Sequence, residues 1–306
     1  MTARVRRLQA ELLATAGAAL GEAPHWDACH EALVWVDIFP GSVHLTSASG
    51  RPLADISLDR AVGAALPAAD GGWLLADATG FSRLAEDGRV DPLLPFLADR
   101  PDLRCNDAKC DRLGRAWAGT IAGDMAPGSG SLHRLDAGPA APLVLDGCTV
   151  ANGIGWSPDD RILWFADSAD RSIRGFDYDL ATGTLGERRH AIELAPTPGV
   201  ADGLCVDDEG GVWVGLWDGG AVHRYLPDGR LDMVVELPVA RVTSCAFGGP
   251  DLATLFITTA RIGLTPDELA QAPRSGDLFV VRAGVSGPPA TPWRTLPPIA
   301  PGPGGR

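Results

Sequence analysis

The apolar positions of the chain fall into short alternating runs rather than helical stripes. LVWVDI around Trp35, GWLLAD around Trp73, RAWAGT around Trp117, ILWFADS around Trp164, VWVGLW around Trp213 and LFITTA around Phe256 each centre on an aromatic residue. Runs of this length and alternation read as β-strands. Across a turn or a longer loop, each is followed by a second run of matching pattern: SVHLT, FSRL, SLHRL, SIRGF, AVHRY and DLFVV. The aromatic anchors stand 38, 44, 47, 49 and 43 residues apart. A period of roughly 45 residues is the length of one four-stranded propeller blade. Six repeats therefore predict an all-β chain, a six-bladed β-propeller with a central channel, as one domain over residues 1–300. The one helix signal is TPDELAQ at 265–271, with Thr265 as N-cap and Glu268 completing a capping box.

A ring of blades must be sealed where its first and last members meet. The repeat-free segment 7–20 is expected to supply an outer strand to the last blade, near PWRTL, covering two sheet edges. The Gly- and Pro-rich end, 301–306, is expected to be a disordered tail. The 38 glycines and 25 prolines of the chain suit a meander that needs many turns.

Charge and length narrow the partners. The formal net charge is -13, with 26 Lys and Arg against 39 Asp and Glu. Nucleic-acid binding needs clustered cations, so that class is excluded, and no apolar run approaches the ~18 residues of a membrane span. The start, MTARVRRLQAELLATAGAAL, imitates a signal peptide, but Gln9 and Glu11 interrupt its apolar stretch. Six cysteines are sparse in a chain able to bury its own core, which points to free thiols in a reducing cytoplasm. A monomer or small homo-oligomer acting on a small molecule fits these bounds.

In a propeller the innermost strands line the channel, and polar residues where they begin are the candidates for chemistry. Glu22 in LGEAPHWD, Asn152 in TVANGIGWSPDD and Asp202 in VADGLCVDDEG occupy equivalent places, about ten to thirteen residues before Trp35, Trp164 and Trp213. Equivalent positions in different blades converge on one axis. Two carboxylates and an amide oxygen make a hard site for one divalent ion such as Ca, Mg, Mn or Zn. The competing reading is that Asn152-Gly153 and Asp202-Gly203 are ordinary turns. Their register with Glu22 favours the site.

RCNDAKCDRLGRAWAGT, residues 104–120, offers a different choice. Cys105 and Cys110 suggest a metal or redox pair, but no His or further Cys pair in the sequence completes a zinc site. If this segment enters its blade from the channel end, period-two alternation puts Arg104 and Asn106 on one side and Cys105 on the other. Both cysteines then read as packing residues. His44, His133 and His223 share one repeat position and read as structural, whereas His25, near Glu22, and Asp167 are candidates to support the site. Trp217 is off the aromatic register and can face a ligand. Asp107 and Lys109 either rim the site or, the commoner case, form a surface charge pair.

LGEAPHWD, RCNDAKCD with AGT downstream, ANGIGWSPDD, ADGLCVDDEGGVWVG and SCAFGGPDLATLFITTA resemble, in order, the signatures of the SMP-30/gluconolactonase/LRE (regucalcin-like) family, over about Gly21 to Val281. The resemblance implies a six-bladed propeller holding one divalent metal (Ca, Zn, Mn, Mg or Fe(II)) in its channel. It implies that Glu22, Asn152 and Asp202 ligate the metal and that Arg104 and Asn106 hold the substrate's oxygens. A further substrate-binding Glu of the family falls at Asp124, one methylene shorter. The implied activity is hydrolysis of a sugar-derived lactone such as gluconolactone, xylonolactone or arabinonolactone, with Asp202 also acting as general base. The alternatives are a propeller esterase or phosphotriesterase of the same architecture and a divalent-cation-binding protein without catalysis.

Overall fold

Each aromatic run forms the second strand of a four-stranded antiparallel sheet, and six such sheets, at 21–57, 62–94, 103–148, 151–193, 200–236 and 242–282, are the blades of a six-bladed propeller. The structure, a computed structural model, describes residues 4–135 and 140–294. Successive inner strands, Gly21–Asp27, Val62–Pro67, Leu103–Cys110, Ala151–Trp156, Val200–Val206 and Val242–Gly248, are almost wholly buried around the channel. The outer strands are the polar ones, as in Thr184–Glu193, where nearly every side chain is exposed.

The aromatic anchors pack between blades, and several carry a polar tether. Trp213 donates from Nε1 to Asp207 at 2.8 Å, and Arg224 donates to the same carboxylate oxygen at 2.7 Å. The equivalent place in blade three holds Trp117 with the buried ion pair Arg115–Asp111, at 2.6 Å, joined by Tyr178 Oη donating to Asp111 at 2.7 Å. An indole N–H and a guanidinium buried in a β-core need such acceptors, since a buried donor left unmet costs ~1–3 kcal/mol. The interblade core is thus apolar with acidic pins.

Ring closure uses two strands from the N-terminal segment. Glu11–Ala14 pairs antiparallel with Leu278–Arg282 and completes blade six as its outermost strand. Arg6–Gln9 goes elsewhere, adding a fifth, parallel strand outside Leu231–Glu236 of blade five. The basic start that imitates a signal peptide is therefore built into two blades. The expected partner for this closure, PWRTL, is corrected: Trp293 bridges Ala68 of blade two, donating its N–H to Pro67 O at 2.7 Å. Blade six has already found its fourth strand, so the C-terminal segment is free to pass over a different sheet. The expected disordered tail, 301–306, lies outside the described residues. The short helix Pro266–Gln271 forms with the Thr265–Glu268 capping box in place. No helix among the described residues is long and apolar enough to cross a membrane.

Candidate metal and substrate site

Every inner strand carries a register slip against its second strand. The slips fall between Glu22 and His25, Val62 and Ala64, Cys105 and Ala108, Ala151 and Ile154, Ala201 and Leu204, and Val242 and Ser244. A bulge releases a residue from the ladder and re-aims its side chain. Glu22, Asn106, Asn152 and Asp202 all sit at these slips, and all line one cavity of about 430 Å³. The bulge is the local device that turns residues of four blades toward one cavity.

Asn152 and Asp202 lie within strands, so the turn reading of their Asn-Gly and Asp-Gly pairs does not hold. The glycines have another cause. A Cβ on Gly153 would lie 2.6 Å from Asp202 O, and one on Gly203 would lie 2.1 Å from Ser244 Oγ. The next blade passes too close for any side chain, by its backbone at Gly153 and by Ser244 at Gly203.

The triad is compact and unevenly satisfied. Asn152 Nδ2 donates to Ser168 Oγ at 3.2 Å and to Asp202 Oδ1. Those two acceptors fix the amide orientation and leave Asn152 Oδ1 buried with no hydrogen-bond partner. Glu22 Oε2 accepts from Ala23 N at 2.9 Å. Burial, then the neighbouring Asp202 and Asp107 carboxylates, push the Glu22 pKa well up. Burial and then Asp107 do the same to Asp202, against the pull of Asn152.

This donor set fits a divalent cation. An orphaned amide oxygen and two carboxylates destabilised by mutual repulsion are what a hard cation would relieve. Among the described residues no group of three or more His, Cys, Asp or Glu side chains could hold an ion alone. A cation held here would need the Asn152 amide as a donor.

Arg104 and Asn106 line the same cavity and act as a unit. Arg104 Nη1 donates to Asn106 Oδ1 at 2.9 Å and to Cys105 O at 3.0 Å, while Asn106 Nδ2 donates to Ala151 O at 3.1 Å. The guanidinium also lies 5.3 Å from the Phe39 ring centroid. Burial lowers its pKa to about 10, with Glu22 opposing, so it stays charged near neutrality. Cys105 points the other way, as alternation predicts, into the core shared by blades one to three. Burial pushes the thiol pKa values of Cys105 and Cys110 up, which makes them inert packing groups.

Asp124 is not brought to this site. It is exposed, its Oδ1 accepts from Ala126 N at 3.0 Å, and it is absent from the cavity lining. The tight turn after Ala122 sends its carboxylate to solvent, and the next residue, Met125, lines the cavity instead. Asp107 and Lys109 are not a surface pair. Asp107 is 3 % exposed, with a pKa raised by burial, and Lys109 donates to Leu204 O at 2.6 Å.

His25 is buried with its Nδ1 2.9 Å from Ala23 O and its Nε2 unpartnered; burial, then Lys109, lower its pKa to about 3. It lines a separate cavity with Lys109, Trp156 and Cys205 rather than the triad's. Asp167 supports the site from behind by accepting from Thr149 N and Val150 N at 3.0 Å. Trp217 lines the cavity, with the Arg241 guanidinium 4.9 Å from its ring. His44, His133 and His223 pack on aromatic rings within or between blades.

Asp107, Ser168 and Met125 escape sequence reasoning. Asp107 follows Asn106 inside the bulge, which leaves no mark in the sequence. Nothing in IAGDMAPGSG marks Met125 over Asp124.

Comparison with known proteins agrees with the six-bladed fold. A family model described as SMP-30/Gluconolactonase/LRE-like region matches residues 20–261. Regucalcin of Sus scrofa is 36 % identical over 281 residues, covering 89 % of this chain and 94 % of that protein. Regucalcin of Danio rerio is 35 % identical over 274 residues, covering 88 % and 93 %. The crystal structure of a calcium-binding protein, regucalcin, from Agrobacterium tumefaciens superposes with a TM-score of 0.90 at 27 % identity, covering 95 % of this chain and 99 % of that one.

Proposed function

This chain belongs to the SMP-30/gluconolactonase/LRE-like family, and we propose that it is a metal-dependent hydrolase that opens a sugar-derived lactone to the hydroxy acid. The observation that carries this reading is the buried, unpartnered Asn152 Oδ1 facing the same cavity as Glu22, Asp202, Arg104 and Asn106. Glu22, Asn152 and Asp202 would hold the ion. When bound, a divalent cation supplies Lewis acidity to a carbonyl oxygen and acidifies water.

The chain's own groups do the rest. Arg104 and Asn106 orient the substrate: the guanidinium binds a hydroxyl or carboxyl oxygen, and the amide pairs with a second oxygen. Asp202 takes the proton of the attacking water as it adds to the lactone carbonyl, then returns it to the ring oxygen as the acyl C–O bond breaks.

A second reading, a calcium binder without turnover, is supported by the Agrobacterium tumefaciens relative being described as a calcium-binding protein. Background-corrected pH-stat assays over a lactone panel separate the two. Ring opening abolished by a chelator and restored by a divalent ion supports the hydrolase. Ion binding without turnover on any lactone supports the binder.

A further inference from the structure

Most polar side chains of the cavity are already partnered: Asn152 with Ser168 and Asp202, Arg104 with Asn106, Glu22 with Ala23 N, and Thr149, at the rim, with Gly128 N. Most of the remaining lining, including Leu20, Ile121, Val150, Val200, Trp217 and Met125, is apolar. Met125 is 59 % exposed, the largest exposure among the exposed large hydrophobics of the described residues. Its placement comes from the turn. Met125 adopts a left-handed backbone at φ 52, its N–H donates to Ala122 O at 2.9 Å, and the Asp124 carboxylate is tied to Ala126 N. A bulky residue in that conformation is held there by its surroundings. The turn therefore presents a thioether to the cavity and a carboxylate to solvent. Trp217, which lines the same cavity, is covered by Arg241, whose Nε donates to Asp218 at 3.0 Å.

We propose that the cavity selects lactones that keep a hydroxyl near the carbonyl and carry a hydrocarbon substituent on the far ring carbon, with Met125 and Trp217 as the specificity-determining contacts. The inference rests on the lactone-hydrolase reading. Arg104 and Asn106 can read the carbonyl end and one hydroxyl. Further hydroxyls would leave water for Leu, Ile, Val and Met surface that offers no hydrogen bond, which disfavours them. An alkyl group gains from the same surface and from the polarisable Met sulfur.

The test compares 2-hydroxy-4-butyl-γ-butyrolactone with xylono-1,4-lactone on the metal-loaded full-length protein. The expected kcat/KM ratio favours the alkyl lactone by about tenfold or more. Met125→Glu is expected to erase most of that preference by raising turnover of the hydroxylated lactone, while Met125→Leu keeps it. Equal or better turnover of xylono-1,4-lactone by the unaltered protein overturns the inference and leaves the hydrolase reading standing. Turnover of neither lactone, with glucono-1,5-lactone also left unopened, defeats the hydrolase reading. Calorimetric affinities for the two ring-opened acids then decide the cavity's preference separately: tighter binding of the alkyl acid supports it, and equal or tighter binding of xylonate overturns it.

Discussion

Asn152 donates its amide hydrogens to Ser168 and to Asp202, across the junction of blades four and five, and so leaves its own carbonyl oxygen buried and unmet. In the proposed site this amide is held by Asp202 and would offer the neutral third donor beside two acids. Asn152→Ala removes that donor and is expected to weaken Ca2+ binding by about tenfold or more, roughly 1.4 kcal/mol per decade. Calorimetric titration of chelator-treated protein measures it, and unchanged affinity would remove Asn152 from the ligand set.

Arg104 is held by Asn106 Oδ1 and Cys105 O in one orientation, beside Phe39. Lysine has one point charge in place of the planar fork, so Arg104→Lys is not conservative here. The expected outcome in steady-state kinetics is KM raised by about tenfold, with unfolding temperature little changed. A variant with native KM would show that the guanidinium does not touch substrate.

The Asp111–Arg115 pair is fully enclosed beneath Trp117 and Tyr178. Removing one partner of a buried pair leaves the other charge stranded. Asp111→Ala should therefore destabilise the protein by about 3–5 kcal/mol, measurable by urea denaturation. A loss well below that would mean that Arg115 finds another partner or reaches water.

His25 sets an acid dependence. Burial and Lys109 lower its pKa in the folded protein to about 3, against 6.5 for the free side chain. Between those values the unfolded chain binds the extra proton, so this contribution to stability is present above pH 6.5 and is lost as pH falls toward 3. The raised carboxyl pKa values of Glu22, Asp107 and Asp202 have the opposite sign, because there the folded state binds more protons. Comparing unfolding temperatures of wild type and His25→Gln over the acidic range isolates the histidine. The variant should lose less stability on acidification; parallel curves would exclude His25 from the acid response.

Much of this was legible in the chain, for reasons that differ by feature. The aromatic of each second strand repeats because the strand is buried between neighbouring blades, so Trp35 to Phe256 announce six blades. Glu22, Asn152 and Asp202 were found by their equivalence in the repeat, although the bulge that aims them leaves no direct mark. The fate of 6–14 was half legible: a closing strand was expected for blade six, but edge pairing depends on which outer strand lies open, and Arg6–Gln9 went to blade five. Asp124 and Met125 were not separable by pattern, because a single left-handed residue in a loop decides which of two neighbours faces the cavity. Burial of Asp107 was likewise hidden, since charge in a sequence reads as surface until a channel is there to enclose it.

The central claim is that Glu22, Asn152 and Asp202 hold a divalent ion on which lactone opening depends. Its most direct measurement is background-corrected ring opening of glucono-1,5-lactone and 2-hydroxy-4-butyl-γ-butyrolactone by wild type and Asp202→Ala, each stripped of metal and then titrated with Ca2+ or Zn2+. The account predicts no enzymatic rate for stripped wild type, recovery on addition of an ion, and no recovery for Asp202→Ala. Full turnover by metal-stripped Asp202→Ala would contradict it.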